Sequence, residues 1–146
     1  MKIQVINGPN LNMLGIREPK IYGSASYADL EHYIAESAAE LGAEICCFQS
    51  NHEGELVARI QQCHGKADAI IINAAAYTHT SVAILDALKA VALPAVEVHL
   101  SDVSAREMFR RHSYPAMACQ TVIAGYGFAS YRMAIKYLLE NSSTQN

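Results

Sequence analysis

The sequence predicts an α/β fold in which a five-stranded parallel sheet is covered by helices on both faces, giving a three-layer sandwich. Two observations predict it. Five short β-branched or apolar runs alternate with helical patterns along the 146 residues, and regular βα alternation is the pattern of a parallel sheet. Runs such as AIII and AVEV are apolar without interruption, which suits strands buried on both sides. The length fits one domain, residues 1–146, with a single hydrophobic core.

The first strand is read at Lys2–Asn7, from KIQVIN. A long loop follows, and Ser26 with Asp29 then forms a capping box that opens a helix over Tyr27–Leu41, stopped by Gly42. The second strand is read at Ala43–Gln49. Ser50 with Glu53 repeats the capping device before a second helix, Gly54–His64. The third strand, Ala69–Asn73, leads to a helix over Thr80–Val91, and the fourth is Ala95–Val98. A helical turn at Ser104–Phe109 precedes the fifth strand, Cys119–Ala124, and the last helix, Phe128–Glu140. The polar residues 141–146 read as a frayed tail.

Composition removes several classes of function. Charged residues make up 17% of the chain and the net charge is −3, which argues against a nucleic-acid footprint or an electrostatic membrane anchor. The opening MKIQVINGPN lacks the apolar run of a signal peptide, and no segment approaches the ~20 apolar residues of a membrane span. The cysteines (Cys46, Cys47, Cys63, Cys119) form no CxxC pair and read as core packing in a reduced, cytoplasmic protein. The histidines show no HExxH or comparable ligand spacing, so a catalytic metal site is not expected. GPNLNMLG lacks the GK[ST] of a P-loop, and GYGF is too late and too sparse for a dinucleotide fingerprint.

The reactive residues collect at one edge. In open parallel sheets, ligands bind at the carboxyl ends of the strands, where the strand order reverses. In a flavodoxin-like order, 2-1-3-4-5, strands one, three and four are neighbours, and their carboxyl ends carry Asn10, Arg17 and Tyr22; Asn73, Tyr77 and His79; and His99 and Ser101. The stretch from Asn7 to Gly23, NGPNLNMLGIREPKIYG, is too long for a plain connection and so binds or covers something. Arg17 stands five residues from Tyr22 across Pro19, and a guanidinium near a phenol favours the phenolate. A phenolate base near neutrality needs about 3 units of depression from ~10, roughly 4 kcal/mol. In VEVHLS, strand alternation puts Glu97 on the same face as His99, where the carboxylate orients the imidazole and equips it as a general acid.

Other residues have plainer alternatives. His79 suits a carboxylate ligand if it stands just before or at the start of the third helix, whereas Thr78, Thr80 and Ser81 read as helix caps. Asn73 ends a buried strand and needs hydrogen-bond partners, which substrate hydroxyls could supply. From SAREMFRRHS, Arg110 is chosen for a substrate carboxylate by its two-pronged fork, and Arg106 and Arg111 read as surface or structural. His32, His52, His64 and His112 also read as structural.

NGPNLNMLGIREPKIYG, QSNHEGELV, INAAAYTHTSVAILDAL, VEVHLS and AREMFRRHSY together closely resemble the type II 3-dehydroquinate dehydratases of the shikimate pathway, in order and spacing over nearly the whole chain. The resemblance implies a metal-free, cofactor-free anti dehydration of 3-dehydroquinate to 3-dehydroshikimate through an enolate. It implies Tyr22 as base, Arg17 keeping it ionised, His99 as acid positioned by Glu97, and Asn10 holding the water that stabilises the enolate. Asn73, His79, Leu100, Ser101 and Arg110 would bind the substrate, under a loop that closes on it. It further implies a dodecamer, a tetramer of trimers, with Asp86 reaching a neighbouring subunit's site. Three positions depart from the pattern: Asp102 and Ser104 replace a usual asparagine and histidine, and Leu85 a frequently basic residue, which could alter a subunit contact. A non-catalytic flavodoxin-like binding or signalling module is the alternative, and an enzyme acting on a related cyclic hydroxy acid is a third possibility.

Overall fold

A computed structural model describes residues 1–16, 20 and 24–142. The strands are β1 (Lys2–Asn7), β2 (Glu44–Gln49), β3 (Ala69–Asn73), β4 (Ala95–His99) and β5 (Thr121–Ala124), and the α-helices are α1 (Tyr27–Leu41), α2 (Glu53–Gln62), α3 (Val82–Val91) and α4 (Ala129–Asn141). All strand pairings are parallel and the order is β2-β1-β3-β4-β5, the predicted flavodoxin-like arrangement. None of the helices among the described residues is long and apolar enough to cross a membrane.

Period-two alternation in the central strands sends side chains into two cores. Val5, Ile71, Val96 and Val98 pack with Leu30 and Ile34 of α1 and Tyr131 and Ile135 of α4. Ile6, Ile70 and Ile72 pack on the other face with Leu56 and Ile60 of α2 and Ile84 and Leu88 of α3. Each fully buried side chain of this size contributes about 1.5–3 kcal/mol.

Local chemistry explains the boundaries. Ser26 and Asp29 form the reciprocal capping box, and Gly42 ends α1 in the left-handed conformation at φ 81. The second box differs from expectation. The N-cap of α2 is His52, without a side-chain cap, while the Ser50 hydroxyl accepts from the His52 amide at 2.9 Å and donates to Glu55, not Glu53, at 2.5 Å. The third helix starts later than predicted, because Ala75–His79 coil first into a 3₁₀ turn. Of the three proposed caps only Ser81 acts, accepting from the Ile84 amide at 3.0 Å; Thr78 is buried instead. Between β4 and β5 the chain makes three short 3₁₀ turns, Val103–Ala105, Met108–Arg111 and Pro115–Ala118. The last of these delays β5. Residues 143–146 of the expected tail lie outside the described residues.

Cys63 is buried, but Cys46 is exposed, because β2 is an edge strand. Burial pushes the Cys47 and Cys119 thiols up to about 12, which keeps them protonated.

Candidate active site

Five loops leave the carboxyl edge of the sheet, and tight backbone packing ties the first of them to the third. After β1, the Gly8 amide donates to the Asn73 carbonyl at 2.7 Å. A Cβ on Gly8 would lie 2.5 Å from the Ala74 carbonyl oxygen, so only glycine admits this approach. Asn10 follows in the left-handed region at φ 69, its amide donating to Asn51 Oδ1 at 3.0 Å. Gln49 braces the same loop from β2, donating to the Gly8 carbonyl at 3.1 Å and to Asn51 Oδ1 at 3.2 Å. The QSN segment is therefore a support for the first loop.

These loops enclose a pocket. Its wall includes Asn10 from the first loop, Asn73 and His79 from the third, and His99, Leu100, Ser101, Arg106 and Arg110 from the fourth. Each residue expected to bind substrate from within the same chain is there, and Asp86, expected to reach a neighbouring subunit's site, is exposed on α3. Arg17 and Tyr22 lie outside the described residues. Leu85 is buried within the protomer.

At the floor, His99 Nε2 lies 3.1 Å from Glu97 Oε2, both side chains almost wholly buried. The ring nitrogen makes no well-aligned hydrogen bond, so the contact is chiefly an electrostatic one, strengthened by the dry surroundings. Glu97 is anchored on its other oxygen: the Ser113 hydroxyl donates to Oε1 at 2.5 Å.

Asn73 has its partners already. Its Nδ2 donates to the Tyr131 hydroxyl at 3.1 Å and its Oδ1 accepts from the Ala75 amide at 3.2 Å. Tyr131 in turn donates to Asn7 Oδ1 at 2.6 Å, and Asn7 reaches the Tyr27 hydroxyl at 3.3 Å. Burial first, and only then neighbouring charge, raises the titration of both phenols, Tyr27 to about 12, so this network stays neutral. One Nδ2 hydrogen of Asn73 is left for a ligand.

His79 closes a 3₁₀ turn just before α3, whose N-cap is Ser81. Its Nδ1 lies 2.8 Å from the His112 carbonyl; donation there makes Nε2 the free acceptor in the neutral ring. Arg110 Nε pairs with Glu107 at 2.7 Å, which orients the guanidinium. A backbone hydrogen bond first, then that guanidinium, holds the Glu107 carboxyl below its usual range. Arg106, expected to be a surface or structural residue, shares the wall with Arg110. No local signal places it there, because the backbone at Arg106 and Glu107 is extended between two 3₁₀ turns.

The departures at 102 and 104 form a pair. Asp102 Oδ1 accepts from the Ser104 amide at 3.0 Å and its hydroxyl at 2.6 Å. The carboxylate is spent on its own turn and is exposed, away from the pocket wall.

Comparison with known proteins agrees along the chain. The family model for dehydroquinase class II matches residues 1–139. A 3-dehydroquinate dehydratase of Synechococcus sp. is 54% identical over 141 residues, covering 97% of each chain. The catabolic 3-dehydroquinase 2 of Aspergillus flavus is 52% identical over 139 residues, 95% of this chain and 93% of that one. The crystal structure of the type II dehydroquinase from Butyrivibrio crossotus superposes with a TM-score of 0.93 at 48% identity, covering 95% of this chain and 97% of the other.

Proposed function

This chain belongs to the class II dehydroquinase family, and on that footing we propose that it removes water from 3-dehydroquinate to give 3-dehydroshikimate, a step of the shikimate pathway. The observation that carries the reading is the buried Glu97–His99 pair on the floor of a pocket whose wall holds two arginines. A histidine on a carboxylate is suited to give a proton to a departing hydroxyl, and guanidinium groups suit a substrate carboxylate.

In this reading the Tyr22 phenolate, kept ionised by Arg17, takes a proton from the carbon between the ketone and the carbinol. The electron pair moves onto the ketone oxygen, and a water held by Asn10 stabilises the enolate. The enolate then collapses to the conjugated enone, and the hydroxyl leaves as water with a proton from His99. That proton comes from the ring nitrogen turned away from Glu97. Arg110, with Nε committed to Glu107, offers its outer edge to the substrate carboxylate. Asn73, His79 Nε2 and the Leu100–Ser101 segment take the ring hydroxyls. These groups need neither metal nor cofactor. Asp86, exposed on α3, belongs to the site of a neighbouring copy in a homo-oligomer, a dodecamer by resemblance to the family.

Substrate labelled with deuterium at one position of the reacting methylene tests the mechanism. Anti elimination expels the label opposite the leaving hydroxyl and keeps the other in the enone. Loss of the label on the same face refutes the geometry; no product at all refutes the dehydratase and leaves a flavodoxin-like binding module.

A further inference from the structure

We propose that Ser113 is a positioning residue for proton donation, acting through Glu97 on His99. The proposal rests on the dehydratase reading above. Ser113 lies 16 residues beyond Glu97, and its hydroxyl is placed by two contacts. It accepts from the Ala116 amide at 3.1 Å, where the 3₁₀ turn Pro115–Ala118 begins, and it donates to Glu97 Oε1 at 2.5 Å. A hydroxyl has one proton. With an N–H donor on its oxygen, that proton is directed at the carboxylate.

The consequence reaches the pocket. Glu97 is 1% exposed, so bulk solvent does not orient its oxygens. With Oε1 held by Ser113, Oε2 is held toward His99 Nε2 at 3.1 Å. Without the hydroxyl, the carboxylate loses a charge-assisted bond and is free to rotate about its last torsion. Ser113 is not on the pocket wall, so it acts through these partners rather than on substrate.

Among the described residues, the ionisable groups facing this pair are few. Cys119 comes toward Glu97 from the segment before β5, its thiol kept protonated by burial and then by the Glu97 charge. His79, Arg106 and Arg110 share the wall with His99. The register neighbours of Glu97 on β3 and β5 are Ile72 and Val122, which carry no charge. The hydroxyl is thus the nearest neutral donor available to stabilise the carboxylate.

Ser113→Ala, Ser113→Cys and Ser113→Thr test this in the dehydration assay. Outer hydrogen-bond partners of metal-ligating side chains contribute roughly 10- to 100-fold, and the same scale is expected for a partner of this pair. Ser113→Ala is expected to lower kcat by about that factor with KM within about twofold. Ser113→Cys, a near-isosteric poor donor, should behave like Ser113→Ala, and Ser113→Thr should restore kcat. Wild-type kcat in Ser113→Ala or Ser113→Cys would overturn the proposal. So would a drop that threonine does not rescue, or a loss carried in KM rather than kcat, which are the marks of a merely structural role. An inactive wild type would instead refute the dehydratase reading itself.

Discussion

Tyr131→Phe is the substitution whose effect follows most directly from the geometry. The ring is wholly buried, and its hydroxyl donates to Asn7 Oδ1 at 2.6 Å while accepting from Asn73 Nδ2 at 3.1 Å. Phenylalanine keeps the ring packing and removes one oxygen, so the cost is polar rather than a large cavity. Two buried groups lose a partner, and each orphaned group costs about 1–3 kcal/mol. Relief from burying the phenol hydroxyl offsets part of this, leaving a net loss of about 2–4 kcal/mol. For a chain of this length each kcal/mol lowers Tm by about 2–4 °C, so a fall of roughly 5–15 °C is expected. Asn73, which lines the pocket, also loses its anchor, and KM should rise several-fold. Thermal unfolding of wild type and variant at equal concentration measures the first effect, and initial rates the second. A Tm within 1 °C of wild type would refute the idea that this network supports both core and pocket.

Three further outcomes follow. Gly8→Ala sets a methyl against the Ala74 carbonyl; it should lower stability by about 1–3 kcal/mol in a urea melt, together with activity, because the loop must lift from β3. Cys47 and Cys119 titrate near 12 in the fold, so above pH ~9 the unfolded chain sheds thiol protons that the folded protein retains. Stability present below pH ~9 is therefore lost as pH rises toward 12, by at most ~1.4 kcal/mol per unit and per group, and the urea midpoint should be lower at pH 10.5 than at pH 8. Asp102→Asn should leave KM within about twofold, since that carboxylate serves Ser104 in an exposed turn; a large fall in KM would show that it repels the substrate.

What the sequence made legible was what local rules control. β1, β3 and α1 match their expected spans residue for residue, because continuous apolar runs and a capping box are local signals. The carboxyl-edge rule grouped Asn10, Asn73, His79 and His99 before any geometry was known, and alternation paired Glu97 with His99. Loop geometry, strand position and contacts between distant residues were not legible. Ser50 chose Glu55 over Glu53, the 3₁₀ turns displaced the starts of α3 and β5, and Cys46 stayed exposed because its strand lies at the sheet edge. Ser113 looks like any loop serine until the fold brings it to Glu97.

The measurement closest to the central claim is the ultraviolet absorbance of the conjugated enone when the purified protein meets 3-dehydroquinate, with Tyr22→Phe and His99→Ala run beside it. The account predicts a steady rise with wild type, near-complete loss with Tyr22→Phe, and a fall of roughly 10²- to 10⁴-fold in kcat with His99→Ala, all three equally folded. No rise with folded, assembled wild type, or a wild-type rate in either variant, would contradict it.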